Sequence, residues 1–261
     1  MYQAIMPLFS FQSAIKSVKL DNDVWIVPIS KREIRALQRE RMRIIDDFEI
    51  ETISHALKTE ILRDEASEVN RVNDYFEKVL LSLRLFKSGD INQKVTFFKR
   101  KKEPGTRAFW KMKTVLYVSL RPYQLKEDGI GEFNKLLNKV TALDQKKRGD
   151  LSLPIHRFSK TYDDSFEDKY IDLIIAMESL VLLKGKGEGR SNIKEKIAIG
   201  VSMLIGRTYS EKHKVRLLVE KAYEIRNRIV HGTSIQWGKK EEELYYQVEE
   251  YLRRTIIKML D

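Results

Sequence analysis

The chain of 261 residues has no cysteine, so it can form no disulfide framework, no thiolate zinc site and no cysteine nucleophile. Histidine is nearly as scarce. His55, His156, His213 and His231 are the only four, and no two stand at metal-ligand spacing. Long apolar runs are missing too: nothing approaches the roughly 20 uncharged residues of a membrane helix, and even residues 171–183 carry Asp172 and Glu178. The opening MYQAIMPLFSF lacks a cationic segment and holds Pro7 inside its apolar run, so no signal peptide is expected. These absences leave a soluble, cytoplasmic protein, not bound to a membrane and with neither metal nor cofactor.

What the chain has is charge of one sign. Lys and Arg number 49 against 38 Asp and Glu, a formal net charge of +11, which makes a polyanion a natural partner. Hydrophobic residues make up 42%, enough for a sizeable core in one or two domains.

Residues 3–29 read as short strands, IMPLFSF, IKSVKL and VWIVPIS, with Asp21-Asn22-Asp23 as the turn between the last two. Ser30 and Glu33 have capping-box spacing and should open a helix to about residue 47, with a basic face of Lys31, Arg32, Arg35, Arg39 and Arg43. Residues 50–62 fit strand or helix. Residues 66–86 show helical spacing of Val69, Val72, Phe76, Val79, Leu80 and Leu83, stopped by the SGD run at 88–90. Segments 93–99 and 107–120 form a hairpin across KRKKEPGT, and a helix follows at 131–143. KKRGD at 146–150, before an extended LSLPIHRF, marks a domain boundary near 150. Beyond it, segments 166–183, 191–205, 211–230 and 240–260 are amphipathic at helical spacing, with Gly232 as the residue after the third helix. The fold class is an α+β domain, residues 1–150, followed by an all-α four-helix domain, residues 151–261.

The third of these helices ends in YEIRNRIVHG, residues 223–232. Arg226, Asn227 and His231, followed by Gly232, resemble the Arg-x(4–6)-His signature of HEPN ribonucleases. The spacing alone is unspecific, since Arg207 and His213 repeat it, but Gly206 and the RTYS run break the helix around that second pair. The segment RFSKTYDDSFEDKYIDLIIAMESLVLL is similar to the first-helix entry of the Apea-like HEPN branch. MPLFSF and LFKSGDI resemble the N-terminal halves of proteins that carry that domain. The resemblance implies a four-helix HEPN bundle and RNA as substrate. It also implies a setting in prokaryotic defence or toxin systems, including abortive infection, with an antitoxin or defence partner. It suggests that Glu178, the first-helix acid, holds Arg226.

The residue types carry their own chemistry. Imidazole titrates near pH 6.5 and exchanges protons at neutral pH. Guanidinium grips phosphate oxygens in a fixed fork. RNA brings its own 2′-OH nucleophile, so Arg226, Asn227 and His231 could support transesterification to 2′,3′-cyclic phosphate and 5′-OH ends. His231 would be the acid/base, Arg226 the phosphate clamp and Asn227 its orienting partner, with Arg228 a further phosphate contact. At about 100° per residue, Leu218, Ala222, Ile225 and Ile229 form the expected core stripe. Val219, Tyr223 and Val230 share the motif's arc and suggest a homodimer interface merging two sites. The same Arg and His could equally be surface charges complementing a helix dipole. Other readings are a non-catalytic RNA- or nucleotide-binding adaptor and a dimerisation module.

The positive charge is uneven: residues 1–150 carry a net +8 and 151–261 a net +3. Lys94, Lys99, Arg100, Lys101, Lys102, Arg107, Lys111 and Lys113 crowd one hairpin beside Phe97, Phe98, Phe109 and Trp110. That mixture fits RNA binding through Lys99, Arg100, Lys101, Lys102 and Arg107 with base stacking. It fits equally a buried aromatic face with a solvated basic edge.

Overall fold

A computed structural model describes residues 1–38, 45–63, 65–101, 106–110, 121–143, 145–163, 165–182 and 192–261, giving the backbone alone at 106–110, 145–149 and 182. The chain divides into two compact units, Met1–Thr141 and Ala142–Asp261.

In the first unit, strands β1 (Tyr2–Phe9), β2 (Val18–Lys19), β3 (Trp25–Pro28), β4 (Ile53–Ile61), β5 (Val95–Arg100) and β6 (Thr106–Trp110) form one antiparallel sheet, ordered β2-β3-β4-β1-β5-β6. Helices α1 (Lys31–Gln38), α2 (Asp47–Glu51), α3 (Ala66–Phe86) and α4 (Ile130–Thr141) accompany it. Alternation along β1 splits the core in two. Tyr2, Ala4, Met6 and Leu8 join the α3 residues Val69, Val72, Phe76, Val79, Leu80 and Leu83. Ile5 and Phe9 join Ile34 and Leu37 of α1 and Ile50 of α2 on the other face. A strand covered on both faces is a continuous apolar run, and MPLF is one. Of the ambiguous segment 50–62, residues 50 and 51 end α2 and Ile53–Ile61 form strand β4, paired with β1.

The DND turn forms as expected. Asn22 and Asp23 take φ of 57° and 53°, and the Val24 N–H donates to the Asp21 carbonyl at 3.3 Å. The SGD stop after α3 rests on Gly89, whose φ is +145° and whose absent Cβ would stand 2.9 Å from the Tyr123 backbone. Arg84, 2% exposed, reaches back from α3 and donates to the Ile91 carbonyl (3.2 Å) and to Asn92 Oδ1 (2.9 Å), so a buried guanidinium holds this connection.

Two expectations for this unit are corrected. The basic face of α1 is largely neutralised in place: Lys31 pairs with Glu51, and Arg35 with Asp47 and Glu51 of α2. Arg39 and Arg43 lie outside the described residues. Phe97 and Phe98 are not a stacking platform. They are 1% and 0% exposed and enter the two opposite cores, because neighbouring residues of a strand point to opposite faces.

The second unit holds α5 (Gln145–Lys160), α6 (Phe166–Leu182), α7 (Ile193–Ile205), α8 (Tyr209–Val230) and α9 (Lys239–Leu260). The last four match the expected helices and all pack on one another; α5 adds a fifth, against α6 and α9. The boundary near 150 is therefore displaced, since KKRGD and LSLPIHRF are helical. Leu151, Pro154, Phe158 and Tyr162 are buried at helical spacing, and that apolar stripe outweighs the roughly 3 kcal/mol cost of an interior proline. Polar groups tie α5 inward. Arg157 Nη1 donates to Asp172 Oδ1 of α6 at 2.6 Å, and Tyr162 Oη to the buried Glu249 of α9 at 3.0 Å, which also faces Arg253. No described helix is long and apolar enough to cross a membrane.

Burial in the sheet has a pH consequence. His55 of β4 is 3% exposed; Nε2 donates to the Ile15 carbonyl at 3.1 Å, and Nδ1 lies 2.8 Å from Ser54 Oγ. Desolvation holds its pKa below the usual histidine value of 6.5, partly offset by the Ile15 bond. The unfolded chain then binds more protons, so the stabilisation is complete above pH ~6.5 and is lost as pH falls toward the folded value. The unfolding temperature should fall on acidification from pH 7.5 to 5, and less steeply in His55→Gln. An equal fall in the variant contradicts this.

Candidate functional site

The residues of interest lie at the C-terminal end of α8. Its start is a full capping box: Thr208 Oγ1 accepts from Glu211 N at 3.1 Å, and the Glu211 carboxylate accepts from Thr208 N. Those backbone bonds, first from Arg207 and then from Thr208, hold the Glu211 carboxyl below its ordinary value. Arg207 precedes the cap and His213 sits early in the helix, so the second Arg–His pair has no helix end to share.

The other end is a Schellman motif. Gly232 takes φ +69°; its N–H donates to the Ile229 carbonyl at 3.0 Å, and Thr233 N–H to the Arg228 carbonyl at 2.9 Å. His231 is thereby the C-cap residue, its N–H on the Asn227 carbonyl at 3.0 Å. Its side chain is exposed and has no hydrogen-bond partner among the described residues. One turn back, Arg226 Nη1 donates to Asn227 Oδ1 at 3.0 Å, and the guanidinium lies 5.8 Å from the Tyr223 ring centroid. Arg226 Nε is buried without a partner.

The buried face of α8 is rotated from the expected one. Of the expected stripe Ala222 alone is fully buried; Val215 and Val219 complete the buried line, and Arg226 continues it. The expected stripe lies about 60° away. Leu218 and Ile225 are half-buried and, with Leu244 of α9, line an open groove of about 430 Å³ whose charged residues balance, Lys221, Arg228 and Lys240 against Glu224, Glu241 and Glu243. Val219 accordingly leaves the dimer surface, because at 0% exposure it packs inside its own unit. Tyr223 is half-buried beneath Arg226, and Val230 remains 51% exposed. Lys194, in the first turn of α7, pairs with Glu224 of α8 at 2.9 Å.

Glu178 is half-buried on α6 and forms no ion pair with Arg226, whose guanidinium is engaged by Asn227 and Tyr223. Arg228 Nη2 donates to the Ser234 carbonyl at 3.1 Å, stapling the loop that follows the helix. In the first unit, Lys99, Arg100 and Lys101 are exposed at the end of β5. Arg100 is bonded to Tyr2 Oη at 2.8 Å, and Lys101 pairs with Glu60. Lys102, Lys111 and Lys113 lie outside the described residues, as does the glycine run at 184–189; for Arg107, Phe109 and Trp110 the backbone alone is described.

The sequence reading missed what holds the loop after His231. Trp237 Nε1 donates to Glu167 Oε1 of α6 at 2.7 Å, and its ring meets Phe166 at 4.9 Å and Tyr170 at 5.6 Å. Tyr245 of α9 packs on both Phe166 and Tyr170, and the Tyr170 hydroxyl donates to the Glu241 carbonyl. Burial pushes the Tyr170 hydroxyl far above its ordinary pKa. The aromatic spacing of Phe166 and Tyr170, with a tryptophan just before α9, was the available signal. No protein-family model, curated protein or solved structure matches the chain.

The cap makes a clear demand on Gly232. Nothing lies within 4 Å of the position a Cβ would take, so Gly232→Ala meets backbone strain alone. It should destabilise the fold by about 1–2 kcal/mol, read as a lower urea midpoint, with Gly232→Asn milder. An unchanged midpoint in Gly232→Ala contradicts the left-handed cap.

Proposed function

We propose that the chain is a metal-independent endoribonuclease of the HEPN type, its helical unit serving as the catalytic domain. The observation that carries this reading is the pairing, on one helix end, of an arginine fork held by Asn227 with an exposed, unengaged His231 imidazole. The reaction needs two proton transfers and stabilisation of charge on phosphorus. The 2′-oxygen bonds to phosphorus as the bond to O5′ breaks. A proton leaves the 2′-OH and another reaches O5′, which imidazole can accept and return. Arg226, with N–H groups beyond the one given to Asn227, faces the phosphate oxygens. DNA, without the 2′-OH, is not a substrate.

Two copies meeting about the Val230 side of α8 would place two such sets in one cleft. Val230 is the exposed apolar residue of that arc. The exposed cations Lys99, Arg100 and Lys101 add phosphate contacts without base stacking. The family's usual setting makes prokaryotic defence, by growth arrest through RNA cleavage, the biological role. One observation favours a second reading, a non-catalytic RNA- or nucleotide-binding adaptor: Arg226 is half-buried and lies against Tyr223, which leaves less of its fork for a reacting phosphate.

Purified protein should cleave total RNA in EDTA. His231→Ala and Arg226→Ala should each lower the rate by at least about a hundredfold, with folding intact. Val230→Glu should give monomers in light scattering and lose activity with them. Binding without cleavage selects the adaptor, and full activity in His231→Ala refutes the assignment.

A further inference from the structure

Resting on that reading of His231, we infer that Trp237 is a positioning residue for the imidazole, acting through a latch to Glu167 and Phe166 at the start of α6. His231 is the last residue of α8 to donate a backbone bond to the helix carbonyl four residues before it, so the placing of its side chain depends on the cap and loop that follow. The bonds that follow it, from Gly232, Thr233 and the Arg228 side chain, all run between the loop and α8 itself. They fix the loop's shape against its own helix and nothing else. Trp237 supplies the tie to another helix. Its ring stands edge-on to Phe166, with an interplanar angle of 90°, and its Nε1–H is committed to the Glu167 carboxylate. An aromatic plug alone would not need that hydrogen bond, which selects one orientation of the indole and so one path for residues 232–236. A carboxylate in the first turn of α6 is favoured there by the helix dipole, so the latch partner is held without help from the core.

Displacing a reacting group by about 1 Å can cost on the order of a hundredfold in rate. The latch should therefore appear in kcat, not in KM. Glu167 is exposed, so its replacement leaves the fold intact. On a short RNA substrate, Glu167→Ala should lose about tenfold or more in kcat at unchanged KM. Glu167→Gln should retain activity, because its amide oxygen accepts the same bond. Trp237→Phe should match Glu167→Ala, and the double variant should be no worse than either. Independently of activity, the His231 imidazole resonance should broaden or shift in Glu167→Ala. Wild-type kcat and an unchanged His231 resonance in Glu167→Ala overturn the latch, as does a Gln variant as impaired as Ala. His231→Ala, assayed alongside, separates the two claims. If it is inactive while Glu167→Ala is normal, the latch alone falls; if it is fully active, the ribonuclease reading falls.

Discussion

A guanidinium on the buried stripe of a helix constrains everything near it. Arg226 follows Val215, Val219 and Ala222 on the inward line of α8, and a charge there is costly unless its donors and its faces are met. Asn227 takes one N–H and Tyr223 offers a ring face, while Nε stays buried and unpaired. The helix ends at Val230, four residues after Arg226, and Gly232 follows in a left-handed cap. His231 sits at that stop, between a half-buried guanidinium and a turn held by two backbone bonds.

The first unit solves a different problem with the same economy of polar groups. Its sheet is covered on both faces, so β1 carries an apolar run and Phe97 and Phe98 of β5 are consumed by packing. Cations that look like a polyanion-binding face in the sequence are matched locally. Lys31, Arg35, Lys58 and Lys94 each find a carboxylate from α1 or α2. The surplus that survives at the end of β5 is a handful of exposed side chains. The exposed pairs of Lys31 and Arg35 contribute up to about 1 kcal/mol each, whereas Lys94 and Glu49 meet largely out of solvent.

Much of this was legible in the residues. Helix α3 begins and ends where the spacing of Val69 to Leu83 places it, and Gly232 takes the cap conformation its position implies. Orientation was harder to read. Helix α8 carries two apolar stripes that share Ala222, Leu218–Ala222–Ile225–Ile229 and Val215–Val219–Ala222, and periodicity cannot say which one faces the core. Contact with α6 and α7 decides it. LSLPIHRF reads as extended, yet it is helical despite Pro154, because burial of Leu151 and Phe158 along a whole helix exceeds one lost hydrogen bond. The Glu178 partnership was a matter of family likeness and no contact supports it, while the Trp237–Glu167 bond links positions 70 residues apart and has no local signature.

The central claim is that RNA supplies the nucleophile and His231 moves the proton. Its most direct test is the chemistry of the product ends, read on an oligonucleotide whose cleaved position carries a single 2′-deoxy substitution. Cleavage of the all-ribose strand should leave a 2′,3′-cyclic phosphate and a 5′-hydroxyl. The substituted strand should stay intact at that position. Cleavage there despite the missing hydroxyl, or 3′-hydroxyl and 5′-phosphate ends on the all-ribose strand, would contradict the account.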